Sequence, residues 1–188
     1  GCRRGQTDHG SSLHCCLSDP RGRCAGAPAR GTVPRVTVSF IVNGVAVSVD
    51  IEGPASLLSI LRTELGMAGT KDACEQGECG SCSVIMDDDL VCSCLVMAAD
   101  AAGTSIITIE GLGSEGSLHR VQEALLEHGA VQCGFCTPGF VVAGAHLLAS
   151  NPTPSELEVR EALAGNVCRC TGYGAILRAF EDLGEDSP

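Results

Sequence analysis

The sequence predicts an α+β chain with two unlike parts: strands around one short helix over residues 33–110, then helices alone over residues 118–184. Three observations carry this. Valines alternate with mostly polar residues on both sides of Asn43-Gly44, which is the period of a half-buried strand around a strong two-residue hairpin signal. Beyond Ser117 the apolar residues recur at helical spacing instead. Between the two parts, the stretch from Glu110 to Ser117 has the Gly/Ser composition of a connector, with residues 111–117 as the linker.

In chain order, Val36, Val38, Phe40 and Val42 mark the first strand and Val45, Val47 and Val49 the second. Ser56 to Leu65 carries apolar residues at helical spacing, and Gly66 is a natural terminator just past its end. Thr70 to Ser81 is polar and glycine-bearing with no period, hence a loop, and it holds cysteines. Strands are expected at Ser83–Met86, Leu90–Cys94 and Ser105–Ile109, the first two joined across Asp87, Asp88 and Asp89. Three adjacent aspartates read as a solvated turn without a ligand role. The order hairpin, helix, loop, hairpin and strand suits a β-grasp sheet holding a helix.

Four helices follow. Leu118–His128 is amphipathic through Val121, Ala124 and Leu125. Thr137-Pro138 opens a second helix as cap and first-turn proline, running to about Ala149 before Asn151-Pro152-Thr153-Pro154 stops it. Ser155 caps Glu156–Ala164, with Glu158 completing a capping box. The last helix spans Tyr173 to Leu183, leaving 185–188 as a tail. Four short helices make an all-α four-helix bundle. His119, His128 and His146 lie on these helical stretches and read as surface or packing residues.

Bulk properties narrow the function. The 188 residues carry a net charge of -11, which argues against binding nucleic acid through its phosphates. Hydrophobic residues make up 44% of the chain, too many for a disordered protein. Residues 1–32 differ from the rest: five arginines against two aspartates, no hydrophobic period, and a composition expected of a disordered or artefactual extension. The longest apolar stretch elsewhere, Gly139 to Ala149, is about half the roughly 20 residues of a membrane span. A soluble protein of the cytoplasm is expected, because the cysteines cluster locally with no secretion signal beside them.

Eight of the thirteen cysteines form two quartets. Cys74, Cys79 and Cys82 are spaced by four and then two residues, and the fourth member is Cys92 or Cys94. This is the plant-ferredoxin spacing for a 2Fe–2S cluster. A tight loop wrapping three thiolates needs the backbone freedom of Gly77 and Gly80, and N–H groups aimed at sulfur. Zinc sites come as two equivalent pairs, which this triplet does not resemble. Cys92 and Cys94 would face the same way on a strand, so spacing leaves the choice between them open.

The second quartet is Cys133 and Cys136 with Cys168 and Cys170, a C-x-x-C joined to a C-x-C. Both pairs precede expected helix N-termini, where partial positive charge favours anionic sulfur. By ligand type alone this quartet suits either zinc or iron–sulfur.

From about Val33 to Leu183 the chain resembles the iron–sulfur subunit of the molybdenum hydroxylases, the xanthine oxidase/dehydrogenase family. Cys-Glu-Gln-Gly-Glu-Cys-Gly-Ser-Cys from Cys74, Gln-Cys-Gly-Phe-Cys-Thr-Pro-Gly from Gln132 and Cys-Arg-Cys-Thr-Gly-Tyr from Cys168 occur together in the family's order. The resemblance implies a ferredoxin-like 2Fe–2S domain followed by a helical 2Fe–2S domain, with iron–sulfur at both quartets. It places the fourth ligand of the first site in Ser93-Cys94-Leu95, hence Cys94. It sets Gln132 and Cys170 against the pterin of a molybdenum cofactor.

The function so implied is electron transfer from a large molybdenum subunit, through two 2Fe–2S clusters, to FAD on a medium subunit. The catalytic residues lie on another chain. The wording around Cys74–Cys94 looks most like xanthine dehydrogenase-type subunits, while carbon monoxide, aldehyde and N-heterocycle dehydrogenases share the motifs. The turn Asp87–Asp89 departs from the Asp-Gly of many relatives. Two other readings are a free-standing ferredoxin-like carrier and a zinc-stabilised interaction module.

Overall fold

The computed structural model describes residues 35–114 and 116–185; the basic opening segment, expected as residues 1–32, lies outside the described residues. Strand β1 (Arg35–Val42) and strand β2 (Val45–Glu52) form an antiparallel hairpin in which Val42 faces Val45 and Arg35 faces Glu52. Asn43 and Gly44 hold φ values of 49° and 80°, the doubly positive turn whose twist matches a two-residue hairpin. Val38, Phe40 and Val42 point inward, whereas Val36 is exposed at the start of the strand.

Ser56 caps the next helix, its hydroxyl accepting from the Ser59 N–H at 3.2 Å. Only Leu57–Ser59 is α-helical (α1); Ile60–Glu64 continues as a wider π-type turn closed by Leu65 N–H to Ile60 O at 3.1 Å. The expected single α-helix over 56–65 is corrected accordingly. A physical reason is at hand: the Thr63 hydroxyl donates to Ser59 O at 2.8 Å and competes for the carbonyl an α-helical bond would use. Leu57, Leu58, Ile60 and Leu61 are all buried.

Strands β3 (Ser83–Met86) and β4 (Asp89–Cys92) pair antiparallel, and β5 (Ser105–Ile107) completes the sheet in the order β2-β1-β5-β3-β4. The β1–β5 pairing is parallel; the others are antiparallel. β4 starts one residue earlier than expected and stops at Cys92, leaving Cys94 in the following turn. The reason is the turn chemistry: Asp87 and Asp88 take φ values of 48° and 73°, so two aspartates make the turn and Asp89 joins the strand. The departure from Asp-Gly thus keeps the hairpin type, with Asp88 at the position that glycine favours.

The helical part comprises α2 (Arg120–Glu127), α3 (Thr137–Ser150), α4 (Glu156–Leu163) and α5 (Gly174–Glu185). Ser155 and Glu158 form the anticipated capping box on α4, with Ser155 N–H to Glu158 Oε2 at 2.7 Å. His119 is the cap of α2, accepting from Val121 N–H at 3.3 Å, so the helix starts later than Leu118. Cys136, not Thr137, stands at the cap of α3, and Thr137 and Pro138 lie inside its first turn.

Two apolar clusters hold the chain. Val38, Phe40, Leu57, Leu61, Val84 and Ile106 fill the sheet part; Val121, Leu125, Phe140, Val159, Leu163 and Phe180 fill the helical part. Helix α3 is apolar nearly all round because it is packed on several sides, against β3 and β4 as well as α2 and α4. The end of the sheet part is tied down. Glu110 accepts from Gly69 N–H at 2.8 Å and from Thr108 Oγ1 at 2.6 Å.

Candidate iron–sulfur sites

The first cysteine loop leaves α1, passes Thr70 and returns at Ser81, closed by Lys71 N–H to Ser81 O at 3.0 Å. Gly77 and Gly80 have φ values of 73° and 66°, the left-handed conformation that the cysteine spacing demanded of glycine. Ser93 fixes the far side, its hydroxyl donating to Cys82 O at 2.7 Å. Five sulfurs gather here. Cys74 pairs with Cys79, and both Cys92 and Cys94 reach the Cys82 thiol.

Gly77 separates the two rivals for the fourth place. Its N–H points at the Cys94 sulfur and favours the thiolate there, whereas its carbonyl accepts the Cys92 thiol proton at 3.8 Å. The two do not share a strand face, because Cys94 lies beyond the end of β4.

The second quartet divides into two pairs. Cys170 and Cys133 stand 3.4 Å apart at the exposed edge, and Cys136 meets Cys168 beneath them. Cys136 sits at the N-terminus of α3, where unpaired N–H groups favour anionic sulfur. Thr171 donates its hydroxyl to Cys168 at 3.1 Å, and Tyr173 accepts the Cys168 N–H at 2.9 Å. Tyr173 itself takes φ 67° and packs edge-on to Phe140 at 6.3 Å. Gln132, Cys133 and Cys170 are exposed together on this side of the helical part.

The thiol titrations split within these groups. The Gln76 N–H, followed by the Cys79 thiol, brings Cys74 down to about 7. Burial, then the neighbouring Cys82 thiol, pushes Cys94 up to about 12, and burial with the charge of Cys82 pushes Cys92 up to about 11. Burial, then the Cys168 thiol, pushes Cys136 up to about 12. Cys168 goes down instead: burial alone would raise it, but the Thr171 hydroxyl and nearby N–H groups outweigh that. The Phe135 N–H lowers Cys133, while its neighbour Cys170 is raised by Cys133. Four sulfurs at this spacing cannot all ionise without a cation among them. Thiols grouped in this way are donors of the kind an iron–sulfur centre takes.

The structure brings the cysteines of each expected quartet near one another, and sequence reasoning missed the contacts around Asn166. Its side chain donates to Gly80 O at 3.1 Å, and the next residue, Val167, donates its N–H to Cys79 O at 3.0 Å. No pattern signals these, since they join segments far apart in the chain. The three histidines have ordinary work: His119 caps α2, His128 meets Asp182 at 2.8 Å, and His146 bonds Asp88 O at 2.9 Å.

The two groups of cysteines suit an iron–sulfur electron carrier, and comparison with known proteins shows that class. Residues 40–104 match a 2Fe-2S iron-sulfur cluster binding domain, and residues 108–181 match a [2Fe-2S] binding domain. The chain is 42% identical over 139 residues to the nicotinate dehydrogenase small FeS subunit of Eubacterium barkeri, covering 74% of this chain and 88% of that protein. It is 46% identical over 148 residues to the nicotine 6-hydroxylase small subunit of Paenarthrobacter nicotinovorans, covering 79% and 89%. Among solved structures, quinoline 2-oxidoreductase from Pseudomonas putida 86 superposes with a TM-score of 0.77 at 42% identity, over 80% of this chain and 94% of that one.

The chain belongs to the small 2Fe–2S subunits of the molybdenum hydroxylase family. It carries two 2Fe–2S domains and serves an oxidoreductase by electron transfer, with the catalytic site on another subunit. The zinc-module reading of the second quartet gives way to this. Among the described residues no helix is long and apolar enough to cross a membrane.

Proposed function

We propose that Cys74, Cys79, Cys82 and Cys94 hold the first 2Fe–2S cluster, and Cys133, Cys136, Cys168 and Cys170 the second. The observation that carries this is the grouping of the sulfurs: Cys74 lies by Cys79, Cys82 by both Cys92 and Cys94, Cys133 stands 3.4 Å from Cys170, and Cys136 lies by Cys168; the Gly77 N–H on Cys94 favours it over Cys92 as the fourth ligand. Each quartet would supply four thiolates to one 2Fe–2S cluster. When bound, the clusters supply reversible one-electron redox chemistry. The chain's own contribution is to aim backbone N–H groups of Gln76, Gly77, Phe135 and Thr171 at the sulfurs, which stabilises the reduced, more negative state.

On this reading residues 33–110 form a ferredoxin-like β-grasp domain, 111–117 a linker and 118–184 a four-helix-bundle domain. The β2-β1-β5-β3-β4 sheet with α1 supports the former and the separate apolar cluster of α2–α5 the latter. The second site faces a large molybdenum subunit, with exposed Gln132 and Cys170 against its pterin. The first site, flanked by exposed Leu95 and Met97, faces a medium FAD subunit. Electrons run from molybdenum to FAD in that order, in a complex resident in the reducing cytoplasm. Nicotinate, nicotine and quinoline, from the relatives' names, favour a nitrogen heterocycle as substrate of the whole enzyme.

The test is metal analysis with electron paramagnetic resonance of the dithionite-reduced, natively assembled complex. The expected result is four irons per copy of this chain, no zinc, two inequivalent 2Fe–2S signals, and molybdenum and flavin in stoichiometric amounts. Two irons, or a stable carrier without molybdenum or flavin, refutes it.

A further inference from the structure

We propose that Asn166 is a positioning residue for electron transfer: its carboxamide clasps the Cys79-Gly80 loop to the segment leading into Cys168, and so fixes the separation of the two clusters. The proposal rests on the ligand assignment above. Asn166 is buried, and its Nδ2 donates to Gly80 O at 3.1 Å across 86 positions of sequence. Gly80 O already accepts from the Ser83 hydroxyl at 2.7 Å and from Ser83 N–H at 3.2 Å. The amide is therefore not needed to satisfy that carbonyl; what it adds is a tie between the sheet and helical parts. A second tie runs beside it, Val167 N–H to Cys79 O at 3.0 Å. Two consecutive carbonyls of one cysteine loop thus meet two consecutive residues of the other.

Glycines let the backbones come this close. A Cβ on Gly80 would lie 2.5 Å from both Asn166 Nδ2 and Gly165 O, and one on Gly139, in the first turn of α3, would strike Gly80 O. Each segment at this junction adjoins a ligand: Gly80 follows Cys79, Gly139 lies three residues past Cys136, and Asn166 lies two before Cys168. A shift at the junction moves one quartet against the other. Single-electron transfer weakens steeply with separation, so a clasp here sets the rate without touching either metal site.

The experiment compares wild type, N166A and the isosteric N166D as the full chain loaded with both clusters. Spin–spin interaction between the two reduced clusters, read as broadening of both resonance signals, varies with the inverse cube of their separation. Amide hydrogen exchange at Val167 reports the neighbouring tie. The expected result is weakened broadening and roughly tenfold faster exchange at Val167 in both variants, with four irons retained. Unchanged broadening with both clusters present overturns the proposal while leaving the ligand assignment intact. So does failure of both variants to take up iron while circular dichroism stays native, since Asn166 would then build a site rather than space two. A wild type lacking two 2Fe–2S signals overturns the ligand assignment and this proposal together.

Discussion

Replacing Cys92 and Cys94 in turn separates a ligand from its neighbour two residues away. The Cys92 thiol makes a long 3.8 Å bond to Gly77 O, so Cys92→Ser removes little: about 1 kcal/mol or less for one hydrogen bond exchanged for another. A serine hydroxyl keeps the donor that Gly77 O requires. Four irons and both resonance signals should survive, with the urea midpoint nearly unmoved. Cys94→Ser removes an iron–thiolate bond and replaces the sulfur toward which Gly77 N–H points. The first signal should shift strongly or vanish, and iron should fall toward two per chain while the second signal stays. Because Cys92 also reaches Cys82, it can substitute in part; the double variant then loses whatever Cys94→Ser retains. The assay is iron content with the reduced spectrum of each purified full chain. If Cys92→Ser abolishes the first signal and Cys94→Ser leaves it untouched, the assignment from the two faces of Gly77 is wrong.

Further outcomes follow from the same geometry. Gly80→Ala should cost more than Gly103→Ala: both have positive φ, worth about 1–2 kcal/mol for an L-residue, but only Gly80 meets neighbours, so an excess of about 1–3 kcal/mol is expected in urea titrations of iron-matched protein. Equal costs would contradict the close approach at Gly80. Ser155→Ala should lower stability by about 1 kcal/mol through loss of the α4 cap, whereas Ser155→Asp should retain most of it; a neutral alanine result contradicts the capping account. Burial lowers the His119 titration, so its neutral form, which caps α2, is the folded one. Stability from this group is present above the ordinary histidine range near 6.5 and is lost as pH falls through the depressed folded value. His119→Asn, an uncharged cap, should flatten that acid limb of the urea midpoint against pH, and an unchanged limb would point to another group.

How much was legible in the sequence follows from the range of each interaction. The hairpin at Asn43-Gly44, the α4 capping box and the cysteine spacings within each loop are written in neighbouring residues, and local chemistry decides them. Shifts of one or two residues arose where a side chain overrode the period. Thr63 took the carbonyl that would have kept α1 α-helical, His119 served as a cap where Leu118 continued the apolar pattern, and Asp88 accepted a glycine conformation that released Asp89 into β4. Cys94 lies beyond the end of β4, because β3 is only four residues long, and this gives it surroundings different from those of Cys92.

What stayed hidden is long-range. The spacing of four and two residues says that three thiolates share one cluster, but nothing in it says how far the next quartet lies. That distance depends on Gly80, Gly139 and Asn166 meeting, three positions drawn from the cysteine loop, the start of α3 and the turn after α4. Taken singly, each looks like an ordinary loop or cap residue. Their meeting also explains why α3 is apolar on nearly every side: it packs on β3 and β4 as well as on its helical neighbours, and Leu90 of β4 packs into the helical apolar cluster. The two parts are therefore not beads on a linker. A flexible connector would allow cluster separation to fluctuate, whereas Asn166 and the buried α3 face hold the two parts together, as one-electron steps in series require.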